Sequence, residues 1–431
     1  MKTVGIIAEF NPFHNGHAYL IEKARELTNA DHVIVVMSGN FVQRGAPAFM
    51  DKFTRTAIAL ENNVDLVLEL PVCYSMSSAA YFATGAVATL DKLNVVDYLC
   101  FGCENDNLDL LNLIADIIID EDECYSEALQ SYLKTGMSFS RSRENAIIKS
   151  LSLRGVNMSS DELSLIISSP NSILAIEYII SIRKSGSKMV PVPIKRLDKG
   201  YHSSDLDGHF ASASAIRKLF GGKSIFTFNN VKETLSDIVP ANCMELLENE
   251  YKKTYPIVSD DFSPLVGNEL IKARYNNTET NNLFDITDDL ANRIANLSGS
   301  YEAFDSFVNT CNSSIFTSSR ISRILFYLLF NYTKDDYFTF KDEGYVYYFR
   351  VLGFNKAHNS LLTEIKTNSD IPLITKISNA FSVLSENGKR MLSINMMADE
   401  IYRLVSIDKY NFSIPKEQQY GVIIITEMFN L

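Results

Sequence analysis

Apolar residues fall along the first hundred positions in two alternating rhythms. Thr3–Glu9, His32–Met37, Val64–Leu70 and Val95–Phe101 are short, nearly continuous apolar runs. Between them helical spacing takes over, with Leu20, Ile21, Ala24 and Leu27 inside His17–Thr28 and Phe53, Ala57, Ile58 and Leu60 inside Asp51–Asn62. Ser77–Leu93 reads as a helix of small residues. Short strands separated by helices about twice their length predict βαβ units and a parallel sheet. The runs VIVVM and DLVLEL are apolar at successive positions. That pattern fits a sheet covered on both faces.

The rhythm then changes. Asn107–Ser169 is helical by pattern, with no strand, and is expected to be an insertion. Ile173–Lys184 follows as a helix, then a strand over Met189–Ile194 whose two prolines suit an edge. Ser212–Phe220 opens another helix, closed by Gly221-Gly222, and a first domain is placed at 1–222. Residues 223–431 predict a mainly helical domain, with helices at Val231–Ile238, Ser263–Tyr275, Thr287–Ser298, Ser318–Asn331 and Asp370–Leu384. Strand-like stretches occur there at Tyr345–Leu352 and Tyr420–Thr426.

Composition narrows the class. A chain of 431 residues with 46% hydrophobic and 21% charged residues has the balance of a globular protein of two or three domains. No run approaches the roughly 18 apolar residues of a membrane span, so no membrane association and a cytoplasmic location are expected. Six scattered cysteines do not make a disulfide framework, and Cys100-Phe101-Gly102-Cys103 lacks the second ligand pair of a zinc site. No metal ligands are assigned. The net charge of −12 weighs against a broad nucleic-acid surface but leaves room for a local basic face, expected at Arg183, Lys184, Lys195, Arg196 and Lys199.

The chemistry-bearing stretch follows the first strand. In an open α/β sheet, ligands sit beyond the carboxyl ends of the strands. There the chain reads Ala8-Glu9-Phe10-Asn11-Pro12-Phe13-His14-Asn15-Gly16-His17 and runs straight into a helix. A helix amino terminus offers unpaired N–H groups to a phosphate, and Gly16 lets a ligand approach the backbone. His14 and His17, three positions apart, fall on one face of the first turn and can both donate to charge developing on phosphorus. The bland alternatives are two loop histidines or a two-histidine metal site. HxxH, however, lacks the spacing and the glutamate of a zincin. Ser212-Ala213-Ser214-Ala215-Ile216-Arg217-Lys218 places hydroxyls and cations at another helix start, which suits a triphosphate tail or an ordinary serine cap.

HNGH after strand one, with a later serine-rich turn ending in Ile-Arg, resembles the nucleotidyltransferase superfamily, whose Rossmann-like (HUP-type) fold is shared with class I aminoacyl-tRNA synthetases. Longer runs are more specific: GIIAEFNPFHNGHAYLI, MSGNFVQRGAPA, ELPVCYSMSSAAYFATGA, FGCEN, SPNSILAIEY, PIKR, SSRISRILFYLL and YYFRVLGFNKAH, in that order, resemble the tRNA(Met) cytidine acetate ligases. The resemblance implies that acetate attacks the α-phosphate of ATP, with Mg²⁺ accompanying the nucleotide, to give acetyl-adenylate. The acetyl group then passes to the wobble cytidine of elongator tRNA(Met). It assigns ATP contacts to Ile7, Ala8, Glu9, Phe10, Asn11, Pro12, Phe13, His14, Asn15, Gly16, His17, Ala18, Tyr19 and Leu20, and to Gly102, Asn171 and Arg196. Cys103 stands where such enzymes commonly have serine.

For Asn171 the alternative is a helix cap after Pro170, and for Arg196 a surface charge. Arg44 and Lys52 are candidates for holding acetate or pyrophosphate, and Asp51 for positioning the attacking amine, each weighed against capping and loop roles. Two other functions compete: a small-molecule adenylyltransferase of cofactor synthesis, and a non-catalytic nucleotide- or RNA-binding protein. The long stretch after residue 222 favours a tRNA platform, with Arg320, Arg323 and Lys334 as phosphate contacts. No protein partner is expected.

Overall fold

The computed structural model describes residues 1–197, 210–221, 227–276 and 280–426. The predicted rhythm is realised as β1 (Thr3–Ala8), α1 (Asn15–Thr28), β2 (His32–Ser38), a hairpin of β3 (Phe41–Val42) and β4 (Ala46–Pro47), α2 (Lys52–Glu61), β5 (Leu66–Leu70), α3 (Val72–Ser75), α4 (Ala79–Lys92) and β6 (Tyr98–Cys103). The inserted stretch is α5 (Leu108–Asp120), α6 (Glu123–Lys134), α7 (Phe139–Leu153) and α8 (Ser160–Ser168), as its pattern predicts. Then come α9 (Pro170–Ser185), β7 (Val190–Lys195) and α10 (Ala213–Leu219).

Beyond them lie α11 (Asn229–Ile238), α12 (Cys243–Glu250), α13 (Ser263–Tyr275), α14 (Asp288–Leu297), α15 (Phe304–Cys311), α16 (Ser318–Phe330) and α17 (Lys334–Asp342). The described chain closes with β8 (Phe349–Asn355), α18 (Asn359–Asn368), β9 (Leu373–Ile374), α19 (Glu386–Tyr410) and β10 (Ile423–Ile425).

The main sheet has the order β10-β8-β5-β2-β1-β6-β7, with β9 beside β8. Strands β5, β2, β1, β6 and β7 run parallel, and β8 pairs antiparallel to β5. The chain winds outward from β1 through β2 to β5, then returns to the other side of β1 for β6. The topological switch point therefore lies between β1 and β6, where ligands of such sheets bind. β7, with Pro191 and Pro193, is the edge strand its prolines require.

Strand alternation fills both faces. Ile34, Val36, Leu66, Leu68 and Leu70 belong to one buried cluster, while Val33, Val35, Met37 and Val67 belong to the other. The first cluster continues without a break into Ile321, Phe326, Phe330 and Tyr402 of α16 and α19. The hairpin drives this union, because the Phe41 ring packs 4.8 Å from Phe330 and 5.2 Å from Phe326.

Two expectations for the carboxyl-terminal half are corrected, and one element was missed. Its strands do not stand apart: β8, β9 and β10 extend the sheet past the predicted boundary at 222. Asp370–Leu384 is not a helix but β9 followed by a 3-10 turn. The longest helix, α19, was not predicted, because its inner face carries Asn395 and Asp399 among the apolar positions and blurs the period.

Those polar residues have a partner. The Lys52 side chain is fully buried, and its Nζ lies 2.8 Å from Glu69 Oε1, 2.7 Å from Asp399 Oδ2 and 3.3 Å from Glu417 Oε1. Burial by itself would strip the proton from this amine, but the Asp399, Glu417 and Glu69 carboxylates outweigh it and raise its pKa. Lys52 is thus a strut between the halves and not a ligand for acetate or pyrophosphate. Its neighbour Asp51 is occupied too: it caps α2, accepting from the Phe53 and Thr54 amides at 2.9 and 3.0 Å and from the Thr54 hydroxyl at 2.5 Å. Asp51 thus takes the capping role, and its carboxylate is committed to α2 instead of to the attacking amine.

No single helix among the described residues is long and apolar enough to cross a membrane. Cys100 and Cys103 are buried thiols with pKa values pushed up by burial to about 12, the opposite of the lowered pKa of a reactive thiolate.

Lys52→Met removes one partner of a buried ionic cluster and is expected to lower the free energy of unfolding by about 3–5 kcal/mol. Urea titration measures this. Wild-type stability in the variant would overturn the strut role.

Candidate active site

The turn after β1 is built by its neighbours. Phe10 adopts a left-handed backbone (φ 47), which drops its ring under the turn, 4.9 Å from Phe13. Asn11 Oδ1 accepts from the Phe49 amide at 2.7 Å, and the Glu9 carboxylate accepts from the Gln43 amide at 2.8 Å. Beneath them Arg55, fully buried, donates to the carbonyls of Glu9 (2.7 Å), Ser38 (2.9 Å), Met50 (2.9 Å) and Gly39. One guanidinium thus fastens the carboxyl ends of β1 and β2 together.

His14 and His17 form a reciprocal cap on α1. The Gly16 amide donates to His14 Nδ1 at 3.1 Å, and the His14 amide donates to His17 Nδ1 at 3.2 Å. A ring nitrogen that accepts from a backbone N–H carries no proton, so in each neutral imidazole the proton sits on Nε2. The rings stack with centroids 3.8 Å apart, and His17 rests on Phe10 and Phe13 at 5.0 and 5.5 Å. Burial, then the neighbouring His14, then Arg196 hold the His17 pKa well below its usual value. The two Nδ1 acceptances and the lowered His17 pKa place a stacked histidine pair, with each Nδ1 facing the backbone, at a helix amino terminus, where unpaired N–H groups favour an anion.

Other predicted residues converge on the same edge. Gly102 sits near the end of β6, and a Cβ there would stand 3.5 Å from the Arg196 stem, so the arginine crosses its face. Arg196 follows β7, held by its amide to the Cys103 carbonyl at 3.0 Å, and its charge reaches His17. Arg217 of α10 donates to the Asn11 carbonyl at 2.6 Å and to the Ser214 hydroxyl at 3.0 Å, which anchors that helix to the turn. Ser212 caps α10 through the Ala215 amide at 3.2 Å. Arg44 is exposed at the tip of the β3–β4 hairpin, on the same side.

Asn171 does not cap its helix. Glu104 does so instead, accepting from the Ser172 amide and hydroxyl, both at 2.9 Å, while its other oxygen accepts the Asn171 amide at 2.7 Å. Within the first stretch, the side chains of Ile7, Phe10 and Phe13 are buried core, leaving only their backbone to a ligand. Asn15 turns away, donating to the Asp237 carbonyl at 3.0 Å, whereas Ala18, Tyr19 and Leu20 are half-buried on α1. Arg55 and Glu104 were missed. Nothing marked the first, an arginine on an otherwise apolar helix face. The FGCEN run already held the second.

The expected RNA contacts are mostly committed elsewhere. Arg323 is buried and paired with Asp285 at 3.4 Å, and Arg320 grips the same aspartate. Lys334 donates to the Asn281 carbonyl at 2.6 Å, and Arg183 is bound to Asp116 and Asn112. Lys184 and Lys195 are exposed, and Lys199 lies outside the described residues.

Comparison with known proteins finds relatives that match nearly the whole chain. A family described as HIGH Nucleotidyl Transferase matches residues 1–417. A tRNA(Met) cytidine acetate ligase of Thermoanaerobacter sp. (strain X514) is 40% identical over 405 residues, covering 94% of this chain and 95% of that protein. Another, from Caldanaerobacter subterraneus subsp. tengcongensis, is 37% identical over 426 residues, covering 98% and 100%. The crystal structure of Thermotoga maritima TmcAL bound with alpha-thio ATP superposes with a TM-score of 0.86 at 28% identity, covering 99% of this chain and 100% of that one.

Two outcomes test the neutral histidine pair. A Cβ on Gly16 would stand 2.9 Å from His14 Cε1, so Gly16→Ala should displace the stack and slow adenylate formation by as much as about 100-fold with unchanged thermal midpoint. Equal losses of stability and rate would refute that. Because the His17 pKa is lowered, its neutral donor form persists as pH falls through the ordinary histidine range. Adenylate formation should therefore hold its plateau across about pH 6.5, and a midpoint there would count against the assignment.

Proposed function

The chain belongs to the tRNA(Met) cytidine acetate ligases, within the HIGH nucleotidyl transferases; on that footing we propose that it activates acetate with ATP and acetylates the wobble cytidine of elongator tRNA(Met) in the cytoplasm. The observation that carries this reading is the reciprocal histidine cap at the switch point. It supports a reading in which the Nε2–H groups of the pair would donate to an α-phosphate lying over the amino terminus of α1.

In the first step an acetate oxygen bonds to the α-phosphorus while the bond to the bridging oxygen breaks, and pyrophosphate leaves. Charge accumulates on the non-bridging α-oxygens, and the His14 and His17 Nε2–H groups would stabilise it. Arg196, Arg217 and the exposed Arg44 supply positive charge for the phosphates and acetate. Gly102 and Asn171 bound the nucleoside side. In the second step the cytidine N4 attacks the acetyl carbon, the acyl–oxygen bond breaks, AMP leaves, and N4 loses a proton. Mg²⁺ would travel with the nucleotide phosphates. Among the described residues the one all-carboxylate cluster is already filled by Lys52, so no protein cage for the ion is assigned.

The carboxyl-terminal half is the proposed tRNA platform. A reading as a small-molecule adenylyltransferase leaves its extensive packing against the sheet without a purpose.

Incubation of the protein with ATP, labelled acetate and an elongator tRNA(Met) transcript should place label in N4-acetylcytidine. Pyrophosphate exchange that demands a different co-substrate, with unlabelled RNA, would overturn the proposal. His17→Ala should slow adenylate formation about 100-fold or more, the scale for one preorganised donor.

A further inference from the structure

Two of the remaining histidines meet at the opposite, amino edge of the sheet, where the ligase reading assigns nothing. His32 opens β2, Asp65 directly precedes β5, and His358 lies just after β8. Parallel pairing of β2 with β5 sets the first two side by side. The Asn355 amide, donating to the Asp65 carbonyl at 2.8 Å, brings the third across from the far half of the chain.

Their ligand-type atoms converge. His32 Nδ1 and His358 Nδ1 are 3.0 Å apart, and His358 Nδ1 is 2.9 Å from Asp65 Oδ1. All three atoms lie within 4.8 Å of one another. Asp65 is only 1% exposed, and its two oxygens differ in kind. Oδ2 is saturated by the Val33 amide at 2.7 Å and by the Arg25 guanidinium, whereas Oδ1, aimed at the histidines, makes no hydrogen bond.

A single proton on His358 Nδ1 would have to serve both His32 Nδ1 at 3.0 Å and Asp65 Oδ1 at 2.9 Å, leaving one buried acceptor poorly satisfied at a cost of about 1–3 kcal/mol. A divalent cation in their midst would engage all three lone pairs at once. Two imidazoles and one carboxylate form the nitrogen–oxygen set that zinc-class ions prefer, with a fourth position left for water. Arg25 and the Val33 amide, by fixing Oδ2, supply the outer support that such a carboxylate needs. His358 is half-buried, which gives an ion access from solvent.

We propose that His32, Asp65 and His358 bind one zinc-class divalent cation, which clips the segment after β8 to the amino edge of the parallel sheet, remote from the adenylylation chemistry. This does not rest on the ligase assignment.

The full-length protein, stripped with a chelator and titrated with Zn²⁺ against a chromophoric competitor, should take up one tight equivalent and gain thermal stability. Co²⁺ should give the intense visible bands of a four-coordinate site. His358→Ala, at a half-buried position, should fold yet weaken that binding by more than the roughly 10–100-fold that loss of an outer-shell partner costs. His17→Ala should leave binding unchanged. Absence of tight uptake, or equal uptake by the His358 variant, would overturn the proposal. So would loss of binding in the His17 variant, which would locate the ion at the active edge.

Discussion

The structure turns on one buried ammonium. Lys52 brings a full charge to a place without water, and such a charge is tolerable only when surrounded by partners. Those partners are Glu69 from β5, Asp399 from α19 and Glu417 from near the chain's end, so the lysine is satisfied only after the most distant segments have docked. Asn40 and Asn395 complete the shell: Asn40 accepts the Lys52 amide at 2.9 Å and donates to Asp399 at 2.9 Å, and Asn395 donates to both Glu69 and Asp399. Gly39 is required beside it, since a Cβ there would collide with the Glu69 carboxylate. Buried ionic clusters are weak sources of net stability. What this one supplies is uniqueness, because hardly any other docking of α19 leaves the charge compensated.

That constraint reaches the active edge through α2. Lys52 and Arg55 lie within the same first turn of the helix, one facing the ionic cluster and the other the carbonyls of Glu9, Ser38, Gly39 and Met50. Fixing α2 therefore fixes where β1 and β2 end, and with them the loop that carries His14 and His17. The proposed donor pair would have to be held closely to act on a transition state. Here the holding is done by carbonyl–guanidinium and carboxylate–ammonium contacts beneath the turn.

The local half of this arrangement was legible in the sequence, and the non-local half was not. Strands β1, β2, β5 and β6 announce themselves because a buried parallel strand is a continuous apolar run, and Pro191 and Pro193 even mark β7 as an edge. The HNGH turn could be placed because its chemistry depends on neighbours in sequence: each histidine finds its hydrogen-bond donor within three residues. Lys52 was misread because its three carboxylates lie 17, 347 and 365 positions away by number (69−52, 399−52 and 417−52), and no local pattern distinguishes a buried cation from an exposed one. Arg323 failed for the same reason, paired with Asp285 and packed against Gly45. Helix α19 escaped notice because the polar residues that satisfy Lys52 interrupt its apolar stripe.

The two ends of the sheet use the same residue type in opposite ways, and the difference lies in what faces Nδ1. At the carboxyl edge a backbone N–H points at each Nδ1, which favours the tautomer with its proton on Nε2, the form the proposed phosphate role uses. At the amino edge no backbone amide among the described residues claims either Nδ1. The two nitrogens face each other and a carboxylate oxygen that makes no hydrogen bond, so with both Nδ1 atoms deprotonated three lone pairs would point inward. An array of outward N–H groups suits a phosphate, and an array of inward lone pairs suits a cation. The chemistry open to a histidine in this fold is thus decided by whether the backbone reaches its Nδ1 first.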